Sequence, residues 1–395
     1  MNKINDTHGP ASGNILFYGT PAYGHVNPTL AIVTELVRCG YAVTYYATEE
    51  FRRVIEACGA EFLAYDFGAL EWEPQVGSRI PELAELLLRF TDAQLEGLQQ
   101  QARERNPVLI FHDTIAFWGR AVADTLGIRA VSVNTIVTAY RYTGRAFRMY
   151  ATRFAWTGLA EVKAIPGVRK YKKRLKKRYP VKRTDLLGLL MNEEEFNIFT
   201  YPRQVHPEGR KMKENCFFLG PSAILREDTF EEKEEYRYSN LIYVSLGTIF
   251  NAGLEFYRTV LSQFCGTKYT VVISCGKHYR RLAEENAPPN VILKPYVNQK
   301  LILKNAVLFI TAGGMNSICE AAANGVPCLM YPQQGEQDIN ARMFEKLGLG
   351  KIIRSERQLL AAAEKLLESF CPNPELICEF STVHIKELMT QLGIR

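Results

Sequence analysis

The chain has 395 residues, 47% hydrophobic and 23% charged, the balance of an ordinary globular protein with room for two domains. No apolar run reaches the roughly 18–20 residues that a bilayer-spanning helix needs. Net charge is +6, and all of it belongs to the first 225 residues, with 29 basic against 23 acidic there and 19 against 19 afterwards. The first thirteen residues are polar and lack a signal peptide's apolar core, so 1–13 reads as a disordered lead-in. Nine cysteines are scattered with no C-x-x-C pair, a pattern of buried free thiols in a reducing, cytoplasmic setting rather than of disulfides or zinc.

Asn14 to Gly19 is a short apolar strand, followed by the loop Thr20 to Pro28 with His25 inside it. Helical spacing then begins, with Leu30, Val33, Leu36 and Val37 on one face and Gly40 as its stop. Tyr41–Ala47 is a strand, Glu49–Cys58 a helix and Glu61–Tyr65 a strand. This alternation predicts a parallel, doubly wound α/β sheet. A long helix is expected over Glu82–Arg105. Val108 to Phe111 is a buried strand running into His112-Asp113, followed by a helix near Trp118–Leu126 and a strand at Ala130–Val133.

Residues 138–200 lose the βα rhythm. The aromatics Tyr140, Tyr142, Phe147, Tyr150, Phe154 and Trp156 lie among helix formers, as expected for an apolar pocket. Arg169 to Arg183 carries ten basic residues and no acidic one. Ile165, Val168, Tyr171, Leu175 and Tyr179 recur at helical spacing beneath them, so this is a basic amphipathic helix ending near Pro180. It is either a solvated face or a peripheral contact with an anionic membrane; no nucleic-acid-binding motif accompanies it.

The acidic, polar stretch 226–240 reads as a linker, after which a second βα series begins. Its strands are Leu241–Ser245, Tyr269–Ser274, Val291–Lys294, Val307–Ile310 and Pro327–Pro332. Its helices are Glu255–Phe264, Leu301–Asn305, one after Gly314 and one near Ile339–Leu347. A last helix spans about 375–392. The domains are thus 14–225 and 241–370, with the segment 371–395 packing back on the first. At Gly313-Gly314-Met315-Asn316-Ser317 a strand meets a helix through glycines. The turn either needs glycine for its geometry alone or holds a phosphate at the helix N-terminus. Ligands of such sheets bind at the carboxyl ends of the strands, where His25, Asp113, Thr248, Gly313, Gly314, Glu336 and Gln337 all fall.

In this order and spacing the motifs GHVNP (Gly24–Pro28), HD (His112-Asp113), SLGT (Ser245–Thr248), GGMNSICEA (Gly313–Ala321), GVP (Gly325–Pro327) and PQQGEQ (Pro332–Gln337) are specific. Over nearly its whole length the chain resembles the family 1 UDP-sugar glycosyltransferases, most of all the bacterial macrolide-type enzymes. That resemblance implies a GT-B fold, two facing Rossmann-like domains with a cleft between them, the first binding the acceptor and the second the donor. It implies inverting, metal-independent transfer of a hexose, glucose by expectation, from a UDP-sugar to a hydroxyl of an apolar small molecule such as a macrolide or polyphenol. No cofactor, metal or nucleic acid is called for, and the chain is a monomer or dimer. His25 matches the family's general base and Asp113 its partner carboxylate, the two linked by triad logic.

On the donor side, Val297 and Gln299 match the positions that hold uracil, and Glu320 the carboxylate that accepts both ribose hydroxyls. Thr248, Gly313, Gly314, Asn316 and Ser317 match the diphosphate contacts, and Glu336 and Gln337 the contacts to the sugar. Asn298 stands where relatives commonly have proline, at a cost in loop rigidity. Ala312 stands where they have a histidine that donates to the diphosphate, a loss of about 10²–10³ in rate if nothing compensates; Lys277 and Asn316 are the candidates to do so. Two alternatives stay open: a lipid-acceptor enzyme at the membrane, and a nucleotide-sugar-binding protein whose catalysis Ala312 impairs.

Overall fold

In the computed structural model the described residues are 13–66, 80–137, 161–225, 236–247 and 253–394. They divide into one compact unit of residues 1–203, 208–226 and 383–395 and another of 204–207 and 227–382. The lead-in, the linker, the aromatic-rich segment and Thr248 lie wholly or mostly outside the described residues.

The first unit holds seven strands: β1 (Asn14–Tyr18), β2 (Ala42–Ala47), β3 (Glu61–Ala64), β4 (Pro107–Asp113), β5 (Ala130–Asn134), β6 (Phe196–Phe199) and β7 (Cys216–Phe218). They form one parallel sheet in the order β3-β2-β1-β4-β5-β6-β7. The order reverses between β1 and β4, where Tyr18 pairs with His112; a ligand site is expected outside the carboxyl ends at such a switch point. Helix Phe117–Leu126 packs directly over that edge. A side chain at Gly119 would stand 2.7 Å from the Cβ of Tyr18 and 2.8 Å from that of His112, so only glycine permits this approach. One face of the sheet is closed by this helix and the long helix Ile80–Arg105, with Trp118, Phe90 and Tyr65 in edge-to-face contact.

The second unit holds β8 (Leu241–Ser245), β9 (Thr270–Ser274), β10 (Val291–Lys294), β11 (Ala306–Thr311), β12 (Cys328–Met330) and β13 (Gly350–Ile352). These are again all parallel, in the order β10-β9-β8-β11-β12-β13, with the reversal between β8 and β11.

Several expected boundaries shift. The segment around His25 is not a loop but a one-turn helix, Tyr23–Val26, continued by the 3-10 turn Asn27–Thr29, with Pro28 at a position where a missing N–H costs nothing. Glu336 and Gln337 lie in the first turn of helix Gly335–Lys346, which starts four residues earlier than expected. Strands β6, β7 and β13 and helix Leu359–Ser369 had not been anticipated; strands of three or four residues are too short to show a period. The single C-terminal helix is two, Pro374–Ser381 and Ile385–Leu392, broken where Thr382 turns extended. The second places Leu388, Met389 and Leu392 in the first unit's core, and the His384 N–H donates to Leu219 O at 2.8 Å. All nine cysteines are free, with Cys216, Cys275, Cys319 and Cys328 buried. No described helix is long and apolar enough to cross a membrane.

Candidate active site

At the β1–β4 edge, Asp113 is fully buried and its carboxylate is ringed by partners. Thr20 Oγ1 donates to Oδ1 at 2.7 Å, the Ile115 N–H donates to Oδ1 at 2.9 Å, and Thr135 Oγ1 donates to Oδ2 at 3.0 Å. His25 Nδ1 lies 3.0 Å from both carboxylate oxygens and 2.8 Å from Thr135 Oγ1. Burial works against charge on Asp113; the facing His25 ring, its hydrogen bond, and the Ile115 and Thr20 donors outweigh it and hold the pKa below the ordinary carboxylate value. An anionic Asp113 fixes the proton of His25 on Nδ1, which puts the lone pair on Nε2. The His25 side chain keeps 15% exposure while Asp113 has none. This arrangement presents a base to solvent with its orienting carboxylate sealed behind it.

Two further layers hold the pair. The Trp118 indole N–H donates to Tyr65 Oη, which donates to the Gly19 carbonyl, each at 2.9 Å, pinning the chain where β1 turns toward His25. Buried Asn192, at φ +40°, donates to the Asp113 carbonyl at 3.2 Å and to His112 Nδ1 at 3.1 Å. His112 Nε2 in turn lies 3.2 Å from Glu194. Thr20, Thr135 and Asn192 carry no motif and were missed in the sequence; Asn192 had no signal beyond a polar residue after an apolar run.

At the β8–β11 edge the second unit builds a different kind of site. Gly313 has φ +87° and Gly314 caps helix Met315–Ala323 without a side-chain cap. The first-turn N–H groups of a helix lack partners within it and carry its partial positive charge. Asn316 and Ser317, both half-buried, sit in that turn. Glu320, buried one turn on, accepts from Gln299 Nε2 at 2.8 Å, and the same amide lies 3.3 Å from Ser317 Oγ. Val297 is buried beside them in sequence, and Asn298 caps helix Gln299–Leu303 through its side chain, at φ −68°. That is the φ a proline would impose. The cap also satisfies the Leu301 N–H at the start of the helix.

Helix Gly335–Lys346 comes up against the glycine turn, with Gln337 O within 3.2 Å of where a Gly313 side chain would be. Asn340 is the hinge of this contact and was not foreseen. Fully buried, it donates to the Gly313 carbonyl at 3.2 Å and to Glu336 Oε1. Its signal was the i, i+4 spacing from Glu336, visible only once the helix is known to start at Gly335. Gln337 is buried, and its amide oxygen accepts from the Gln333 N–H at 2.8 Å, so that oxygen braces the turn. Ala312 is 2% exposed and packs in the core with Leu246, Phe256 and Ile310. Of the two residues expected to compensate for Ala312, Asn316 lies in the first turn of helix Met315–Ala323. Lys277 follows β9, two strands from β11, or about 10 Å at ordinary strand spacing. Among the described residues no cluster of His, Cys, Asp and Glu could hold a metal ion.

Residues 248–377 match the glycosyltransferase family 28 C-terminal domain. The NDP-glycosyltransferase YjiC of Bacillus licheniformis is 32% identical over 392 residues, covering 95% of this chain and 94% of that protein. The oleandomycin glycosyltransferase of Streptomyces antibioticus is 24% identical, over 90% of this chain and 82% of its own. Among solved structures, the calicheamicin glycosyltransferase CalG4 superposes with a TM-score of 0.75 at 24% identity, over 97% of this chain and 98% of that one.

Proposed function

The chain belongs to the macrolide-type family 1 glycosyltransferases, with their GT-B fold, and from that premise we propose that it moves a hexose, glucose by expectation, from UDP to a hydroxyl of an apolar small molecule, with inversion and without a metal. The observation that carries the reading is the His25–Asp113 contact at the switch point of the first sheet. His25 Nε2 takes the acceptor proton as the acceptor oxygen bonds to the anomeric carbon, and Asp113 stabilises the imidazolium that results. The bond from that carbon to the diphosphate breaks with its electron pair leaving on UDP. Asp113 is sealed and both its oxygens accept hydrogen bonds. It is therefore unsuited to serve as the nucleophile of a double displacement, which favours direct attack.

Charge that grows on the leaving diphosphate is met by the N-terminus of helix Met315–Ala323 and its Asn316 and Ser317 side chains. With Ala312 in place of the imidazole, Asn316 and Ser317 are the neutral side-chain donors left to do that work. Gln299 and Glu320 hold uracil and ribose, and Glu336, set by Asn340, takes the sugar hydroxyls. The test is a mass-spectrometric screen of UDP- and TDP-sugars against macrolide and polyphenol acceptors, run beside His25→Ala, with the product anomer read by NMR. Transfer by wild type that vanishes in the variant, with inverted configuration, is expected. Transfer surviving in His25→Ala overturns the mechanism, and retained configuration overturns direct attack.

A further inference from the structure

The basic run lies on helix Ile165–Arg178, which ends where Tyr179 turns extended before Pro180. Its apolar face is already in use: Leu175 is buried, and Val168, Tyr171 and Tyr179 pack on the core closed by helix Ile80–Arg105. That face is therefore not free to insert among lipid tails, although Ile165, which the spacing grouped with it, stands outside it. What remains outside is charge. Arg174 and Arg178, flanking the buried face, pair with Asp92 and Glu96 at 3.1 and 3.0 Å. Both acidic partners lie on helix Ile80–Arg105, the element beneath the buried face. Arg169, Lys172, Lys173, Lys176 and Lys177 form no ion pair among the described residues, and all but the half-exposed Lys172 are exposed.

At 100° per residue these five fall on one face, opposite Tyr171 and Leu175. Ile165 stands one turn before Arg169 on the same face, 39% exposed, and Pro166 beside it is exposed too. A rigid row of cations ending in an exposed isoleucine matches a flat anionic surface with a shallow apolar layer. It matches nucleic acid poorly: the tyrosines that would stack on bases are turned inward, and four of the five cations are lysines, which act as point charges rather than planar forks.

We propose that this face docks the protein on anionic phospholipid bilayers, electrostatically and reversibly, with Ile165 seated among the headgroups. Docking leaves the helix in place and needs no rearrangement of the unit that carries His25. The test is co-sedimentation of the full chain with vesicles of mixed phosphatidylglycerol and phosphatidylcholine, against vesicles of phosphatidylcholine alone. Binding to the anionic vesicles at low salt, lost at high salt, is expected.

Each lysine changed to glutamine should weaken partitioning about fivefold. The quadruple variant Lys172→Glu, Lys173→Glu, Lys176→Glu, Lys177→Glu should weaken it by more than about a hundredfold, with transfer to a water-soluble acceptor unchanged. Ile165→Ser should weaken it less and leave the salt dependence intact. If the quadruple variant misfolds, the graded glutamine series gives the same answer. Absence of binding to anionic vesicles at low salt overturns the proposal, as does binding that the lysine variants leave untouched. Tighter retention on single-stranded RNA than on vesicles also overturns it, assigning the face to nucleic acid.

Discussion

At the β1–β4 edge, Asp113 accepts from Thr20, Thr135 and the Ile115 N–H and faces His25. At the β8–β11 edge, a two-glycine turn leads into the uncapped start of a helix, and Asn340 holds the backbone there at the Gly313 carbonyl. Both lie where the strand order reverses, so topology chose the location in each. The materials suit the different tasks proposed for the two sites. Moving a proton needs a titratable group whose basicity is set by neighbours, and only side chains supply that. Holding a diphosphate needs donors fixed before the charge arrives, and backbone N–H groups supply these without side-chain ordering.

His25→Ala should lower kcat about 10²–10⁴-fold while leaving UDP affinity unchanged; calorimetric titration with UDP beside the kinetics checks both. A loss of UDP binding as well would mean that the two sites are not separable. The charge on Asp113 also makes a pH signature. Its pKa in the folded protein lies below the unfolded value, so its contribution to stability is present above the ordinary carboxylate range and lost as pH falls through the folded value. Unfolding titrations of wild type should therefore lose stability below about pH 4, and Asp113→Asn should lose less there. Equal acid sensitivity would remove the buried charge from the account.

Ala312→His puts a side-chain donor back into the backbone-built site. A gain in kcat of up to about 10²–10³ is expected, set against about 1–3 kcal/mol of stability from crowding the core around Ala312. No gain, in a variant that melts cooperatively, sinks the idea that a donor is missing. Glu320→Ala should raise the Kd for UDP about tenfold to a hundredfold, the worth of hydrogen bonds to a charged group, with the pH profile of turnover unmoved. A deoxyribose analogue of UDP should feel the substitution less. Smallest is Thr135→Val, which keeps the shape and removes the hydroxyl between His25 and Asp113. A drop in kcat of about threefold to tenfold is expected, along with a shifted acid limb, and an unchanged limb would leave Thr135 a packing residue.

Much of the second site was legible in advance because it is local. Gly313 through Glu320 are consecutive, the left-handed turn and the helix N-terminus are properties of that segment, and the strand before it ends in the same stretch of sequence. Asn340 was hidden by a misplaced helix start, an error of four residues that left Glu336 in a loop where the structure has the first turn of a helix. The first site was legible only in part. His25 and Asp113 stood out through a resemblance, but nothing near residue 135 announces a hydroxyl 2.8 Å from His25 across 110 positions of chain. The basic helix shows the same limit in reverse. Its periodicity located an apolar face, Ile165 apart, but could not say that the face was already occupied by the core.

What depends on neighbours along the chain could be read from the sequence: the βα alternation that forces parallel sheets, the glycine turn, and the charge on Arg169–Arg183. The order of the strands, the short β6, β7 and β13, the ring of donors around Asp113 and the outward face of the basic helix were decided by tertiary structure alone. The physical reason is that a hydrogen bond between side chains 88 residues apart, as between His25 and Asp113, depends on which strands lie side by side. Local propensity carries no record of that pairing; it is settled only when the core is packed.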